Sequence, residues 1–81
     1  MSVVTREEIL NLVNTILVVN NIKVHDYDED IISLGISSID FIQIVVAIEE
    51  QYFIELPDEY LIMSNMNNIS KITEIVNLFV G

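Results

Sequence analysis

Ser37 and Ser38 stand side by side between Gly35 and Asp40, and a serine hydroxyl in such a place serves either as a helix cap or as a nucleophile that takes on a group. Nucleophilic catalysis needs a base steered by an acid. His25 is the one histidine and falls in a loop segment, so no Ser-His-Asp arrangement is legible and hydrolysis is not expected. Asp26, Asp28 and Asp30 match positions 1, 3 and 5 of a calcium-binding loop. The later positions fail, with Ile31 where glycine is needed and Ser37 where glutamate is needed. There is no cysteine, which removes disulfides and thiolate zinc sites. No catalytic residue and no metal ligand are expected.

These residues must be positioned by helices. Eighty-one residues make a single domain, 1–81, and 52% of them are hydrophobic, with two Gly and one Pro, a balance that suits a compact helical core. Thr5 and Glu8 have capping-box spacing, and Ile9, Leu12, Val13, Ile16 and Leu17 recur as one helical stripe until Asn20-Asn21 interrupts it. A long loop follows to Leu34, pinned by isolated apolar residues around Asp26–Asp30, and Gly35 frees the chain to turn. Ser37 is the expected cap of a second helix running from Ser38 to about Tyr52. Pro57-Asp58-Glu59 suits the first turn of a short third helix extending towards Met63. Asn68 caps a last helix carrying Ile69, Ile72, Val76 and Phe79.

The second helix holds two apolar stripes. Phe41, Ile44, Val45, Ile48 and Tyr52 should face the core, while Ile39, Ile42 and Val46 form a second stripe that a small domain cannot also bury. Asp40, Gln43, Glu49 and Glu50 border it, so an apolar strip with an acidic rim is expected as a docking surface.

Leu34-Gly35-Ile36-Ser37-Ser38-Ile39-Asp40 resembles the attachment-site motif of acyl and peptidyl carrier proteins, Gly-x-x-Ser-Leu/Ile-Asp. The stretch from Val46 to Glu59 is similar to that family's acidic second helix and the start of its third. The resemblance implies an all-α fold, an irregular four-helix bundle with three longer helices and a short third. It also implies that Ser38 is esterified with 4′-phosphopantetheine from coenzyme A. Ile39, Ile42 and Val46 then belong to the surface that partners touch, with Asp40, Gln43, Glu49 and Glu50 around them. The implied partners are a phosphopantetheinyl transferase and the ligases, synthases, transferases or thioesterases that load and unload an acyl or aminoacyl thioester through basic docking patches. Three departures, Ser37 where many members carry Asp, Gln43 where fatty-acid carriers often carry Glu, and a long Tyr60–Asn68 stretch, leave room for a discrete polyketide or peptide carrier.

Elementary chemistry agrees with an arm at Ser38. A phosphodiester at a helix N-terminus is favoured by about 0.3–1 kcal/mol by free N–H groups and the helix dipole. Without cysteine, any thioester must use the arm's own thiol, so the chain tethers while other enzymes catalyse. Cargo burial between the second and third helices, against Ile42, Val46 and Met63, is a further expectation. Met63 and Met66 read otherwise as core filler.

Thirteen Asp and Glu against three Lys and Arg give a net charge of −10, a field that repels nucleic acid and anionic lipid and favours basic protein surfaces. The charge-free stretch Ile9–Ile22 is too short to span a bilayer and is broken by asparagines. A cytoplasmic monomer without membrane insertion is expected. The competing reading is an acidic helical adaptor without a prosthetic group, which fits the composition equally well but leaves Gly-x-x-Ser-Ile-Asp unexplained.

Overall fold

The computed structural model describes residues 3–80. They form three α-helices, α1 (Arg6–Leu17), α2 (Ser38–Tyr52) and α3 (Ile69–Phe79), joined by short 3₁₀ turns, with no strand among the described residues. The all-α expectation holds, and α1 is the central element, packing against both α2 and α3.

Each helix starts where a side chain replaces missing backbone partners. At α1 the Thr5 hydroxyl accepts from the Glu8 N–H (3.2 Å) while Glu8 Oε1 accepts from the Thr5 N–H (3.4 Å). At α3 Asn68 Oδ1 accepts from the Lys71 N–H (2.8 Å). The faces that follow are those the apolar spacing marks: Ile9, Val13 and Leu17 on α1, Phe41, Ile44, Val45 and Ile48 on α2, and Ile69, Ile72 and Val76 on α3 are buried together. Thr73 is buried among them with its hydroxyl donating to the Ile69 carbonyl (2.7 Å), so its own donor is paired.

The long loop is held by side chains that imitate backbone. Asn14 accepts from the Val24 N–H (2.8 Å) and donates to the Val24 carbonyl (3.0 Å), which docks Val24 into the core. Farther on, the Ile31 N–H donates to the Asn67 carbonyl and the Ser70 N–H to the Tyr27 carbonyl, so loop and α3 share hydrogen bonds. The Arg6 guanidinium lies 4.9 Å from the Tyr27 ring centre, a cation–π contact closing the same side. Asn77 clamps Val4 through both its amide atoms, each at 2.9 Å.

The short third helix takes the form of two 3₁₀ turns, Asp58–Tyr60 and Met63–Asn65, separated by extended Ile62 (φ −116°, ψ 124°). The sequence around them explains this. Ser64, Asn65, Asn67 and Asn68 favour local side-chain bonding over helix, and the one residue drawn fully inward, Met66, is reached without a continuous turn. Tyr60 meets Phe79 of α3 edge-on at 5.4 Å, fixing the segment. Among the described residues no helix is long and apolar enough to cross a membrane.

Candidate functional site

Gly35 turns the chain at φ +90°, a conformation an L side chain adopts only with strain. Two residues later Ser37 caps α2: its hydroxyl accepts from the Asp40 N–H (3.1 Å), and Asp40 Oδ2 accepts from the Ser37 N–H (2.9 Å). Ile36 and Phe41, the positions of a hydrophobic staple, are both buried in the core. The cap and the staple fix where the helix begins. Ser38 is therefore the first helical residue, exposed to solvent, with a hydroxyl the cap does not need.

Asp40 departs from its expected place on the docking rim. It is only 7% exposed, and its second oxygen accepts from Asn20 Nδ2 at 2.7 Å. The physical reason is its position three residues past the cap, where the side chain folds back over the helix end and meets the turn that follows α1. Glu49 is half-buried, with Oε2 accepting from the Leu56 N–H (2.8 Å), so it holds the chain after α2 and only partly faces outward. Ile39 (67% exposed), Ile42 (57%) and Val46 (44%) do reach the surface, as do Gln43 and Glu50.

Beside Ser38 lies an open groove of about 410 Å³, lined by Ser38, Phe41, Ile42, Val45, Val46, Glu49, Leu61 and Met63. Its volume is in the range of small-molecule sites. Ile42, Val46 and Met63 were expected there. Leu61, Phe41 and Val45 were not, since the last two belong to the core stripe and show the groove only their edges, being 7% and 6% exposed. A run of apolar residues after Pro57 with no helical period is the one signal that could have indicated Leu61. Met66 is core, as read.

The acidic loop is organised by its own backbone and by α3. Asp26 accepts from the Asp28 N–H, Asp30 from the Ile32 N–H, and Asp28 from the Ser70 hydroxyl. His25 is exposed in that loop.

Ser38 is exposed as the first residue of α2, at the helix end where backbone N–H groups lack intrahelical acceptors, and the neighbouring Asp40 carboxylate accepts from Asn20 and Ser37. An apolar groove begins at the same residue. Compared with known protein families, residues 7–76 match the model described as "Phosphopantetheine attachment site". No curated protein and no solved structure matched the chain.

Proposed function

The chain belongs to the phosphopantetheine attachment-site family, whose members carry a covalent 4′-phosphopantetheine, and from that premise we propose that it is a carrier protein loaded at Ser38. The observation that carries this reading is the division of labour between adjacent serines. Ser37 supplies the cap, which leaves Ser38 exposed at the mouth of an apolar groove. A transferase would join the serine oxygen to the phosphorus of the phosphopantetheine phosphate, breaking the pyrophosphate bond of coenzyme A, so that 3′,5′-ADP leaves and the serine proton passes to a base of the transferase. When bound, the arm supplies the thiol on which acyl groups travel as thioesters. The chain's own residues hold the attachment point, shelter what the arm carries and present a surface to partner enzymes. The chain itself catalyses nothing.

The cargo is acyl, with an aliphatic chain. Six of the groove's lining residues are Phe41, Ile42, Val45, Val46, Leu61 and Met63, and the single charged one, Glu49, already accepts from the Leu56 N–H. Such a lining stabilises methylenes by about 0.8 kcal/mol each. The partners are the transferase and the loading, chain-building or releasing enzymes, meeting Ile39, Ile42, Val46 and Glu50 with basic patches.

Incubation with coenzyme A and a broad-specificity phosphopantetheinyl transferase tests the assignment. Intact mass and peptide mapping should find one added group on Ser38 and none in Ser38→Ala, with Ser37→Ala still loaded. A chain left bare while a control carrier is converted would refute the assignment. Loading of the holo protein with a fatty acyl group should shift the NMR signals of Ile42, Val46 and Met63. Unchanged signals would remove the sheltering role.

A further inference from the structure

We infer that Asn20 is a positioning residue for the loading of Ser38, so that the attachment site is built from two elements, the start of α2 and the turn that ends α1. The inference rests on the carrier reading and adds to it a residue that lies in neither the Gly35–Asp40 motif nor the groove beside it. Asn20 Nδ2 donates to Asp40 Oδ1 at 2.7 Å. Asp40 in turn accepts from the Ser37 N–H (2.9 Å) and donates its own N–H to the Ser37 hydroxyl (3.1 Å). Ser38 sits within the short loop of chain that these last two bonds close, so its backbone is held from both sides. The buried staple residues Ile36 and Phe41 tie this turn to the core through apolar contact, which is not directional. The amide of Asn20 adds a directional tie to a second part of the fold.

Asn20 can act as a fixed point because the turn that carries it is anchored at both ends. Leu17, just before the 3₁₀ turn Val18–Asn20, is fully buried, and Ile22, just after it, packs against the core. Between them Asn21 takes the left-handed conformation (φ 58°, ψ 31°), which asparagine tolerates better than most side chains. That bend lets the Asn21 N–H donate to the Val18 carbonyl (3.1 Å) and the Ile22 N–H to the Leu17 carbonyl (3.3 Å), the paired bonds of a Schellman-type helix end. The two asparagines that interrupt the apolar stripe of α1 thus have separate tasks. Asn21 makes the turn, and Asn20 reaches from it to α2.

The consequence for loading follows from how exacting group transfer is. The Ser38 oxygen must be presented in line with the phosphorus it attacks, and small misplacements of a reacting atom cost large factors in rate. Helix ends open more easily than helix interiors. With Asn20 in place Asp40 is 7% exposed and the first turn of α2 is closed against the end of α1. Without it one carboxylate oxygen loses its partner, the side chain is free to turn to solvent, and the turn opens more often. The fraction of chains that present Ser38 in helical geometry falls, and the apparent affinity of the transferase falls with it.

The test is the steady-state loading of the apo chain from coenzyme A by a broad-specificity phosphopantetheinyl transferase, read by intact mass. Asn20→Ala should lower kcat/KM by about fivefold, the factor that one net hydrogen bond supplies. Asn20→Asp replaces the donor with a second carboxylate beside Asp40 and should slow loading at least as much. Adding Asp40→Asn to Asn20→Asp reverses the polarity of the tie: the new amide at position 40 accepts from the Ser37 N–H and donates to the new carboxylate at position 20. This pair should recover most of the loss. Asn77→Ala removes a clamp of similar kind, the two 2.9 Å bonds to Val4, and should load like the parent. Circular dichroism at the assay temperature should show every variant folded, since Asn20 is exposed. The proposal is overturned if Asn20→Ala loads at the parental kcat/KM or if the reversed pair is no faster than Asn20→Asp alone. It is equally overturned if Asn77→Ala slows loading as much as Asn20→Ala, which would reduce the effect to general stability. A parent chain left bare while a control carrier is converted sinks the carrier reading itself, whereas normal loading of both parent and Asn20→Ala sinks only the role of Asn20.

Discussion

Asp40→Ala should be among the most damaging exposed-helix-end substitutions in this chain, although a sequence reading places that residue on a solvated rim. Its carboxylate accepts from Asn20 Nδ2 at 2.7 Å and from the Ser37 N–H at 2.9 Å. Hydrogen bonds to a charged group contribute about 1.5–3 kcal/mol in sheltered settings. Asn20 and Ser37 are themselves exposed, so water compensates part of the loss and the lower end applies. Loss of half a capping box adds a few tenths to about 1 kcal/mol. The expected cost is about 2 kcal/mol, which in a chain of 81 residues lowers Tm by about 8–16 °C. Urea and thermal unfolding followed by far-UV circular dichroism would read it. Asn20→Ala should cost about 1 kcal/mol, and the double variant should fall short of the sum by about 1 kcal/mol because the two residues share one bond. Glu50→Ala, exposed, should stay within about 0.5 kcal/mol. If Asp40→Ala costs no more than Glu50→Ala, or if the Asp40 and Asn20 effects simply add, then the buried clamp does not operate and Asp40 returns to the docking rim.

Phe53 ends α2 in the left-handed conformation (φ 56°) while 94% exposed, a state costing an L residue about 1–2 kcal/mol, so Phe53→Gly should raise stability by roughly 0.5–1 kcal/mol after the entropy of glycine in the unfolded chain is subtracted; a lower urea midpoint would contradict this. The Tyr52 hydroxyl is pushed above the ordinary tyrosine value, first by burial and then by the Glu8 charge, with a long 3.4 Å hydrogen bond to Glu8 Oε2. Because the folded value is the higher one, this contribution is complete below about pH 10 and is lost as pH rises through the raised folded value. Tyr52→Phe should therefore lose less stability than the parent between about pH 8 and the alkaline limb, and a pH-independent difference between the two would count against the assignment.

The starts of the three helices were legible because caps are local: Thr5 with Glu8, Ser37 with Asp40 and Asn68 with Lys71 each span three residues. The core faces were legible for the same reason, since helical period alone separates Phe41, Ile44 and Val45 from Ile39, Ile42 and Val46. What escaped was decided by partners distant in sequence. The direction of the Asp40 carboxylate depends on Asn20, twenty positions away, and that of Glu49 on the N–H of Leu56. The Ser37-x-x-Asp40 spacing is itself a signal for an acid that closes a helix end, but the Asp40 bond to Asn20 and the Glu49 bond to Leu56 have no local signal. The Pro57–Met63 stretch escaped differently: its first-turn signals announce a helix, but the chain there makes the short turn Asp58–Tyr60 and is extended at Ile62 before a second turn, Met63–Asn65.

A helix with apolar residues on two sides is poorly suited to a small domain that needs only one buried face, and the arrangement around α2 supplies the reason for keeping both. The inner stripe holds α2 against α1 through Ile44 and Ile48, both essentially inaccessible. The outer stripe must stay exposed to be useful, yet an exposed aliphatic strip invites aggregation. The −10 charge answers that hazard, since mutual repulsion keeps copies apart while favouring basic enzymes. In this chain, acidity and exposed aliphatic surface therefore belong together. Neutralising substitutions at Glu50 and its neighbours should increase self-association at the strip before they alter the fold, and a chain that stays monomeric after losing most of that charge would show that the strip is protected by shape instead.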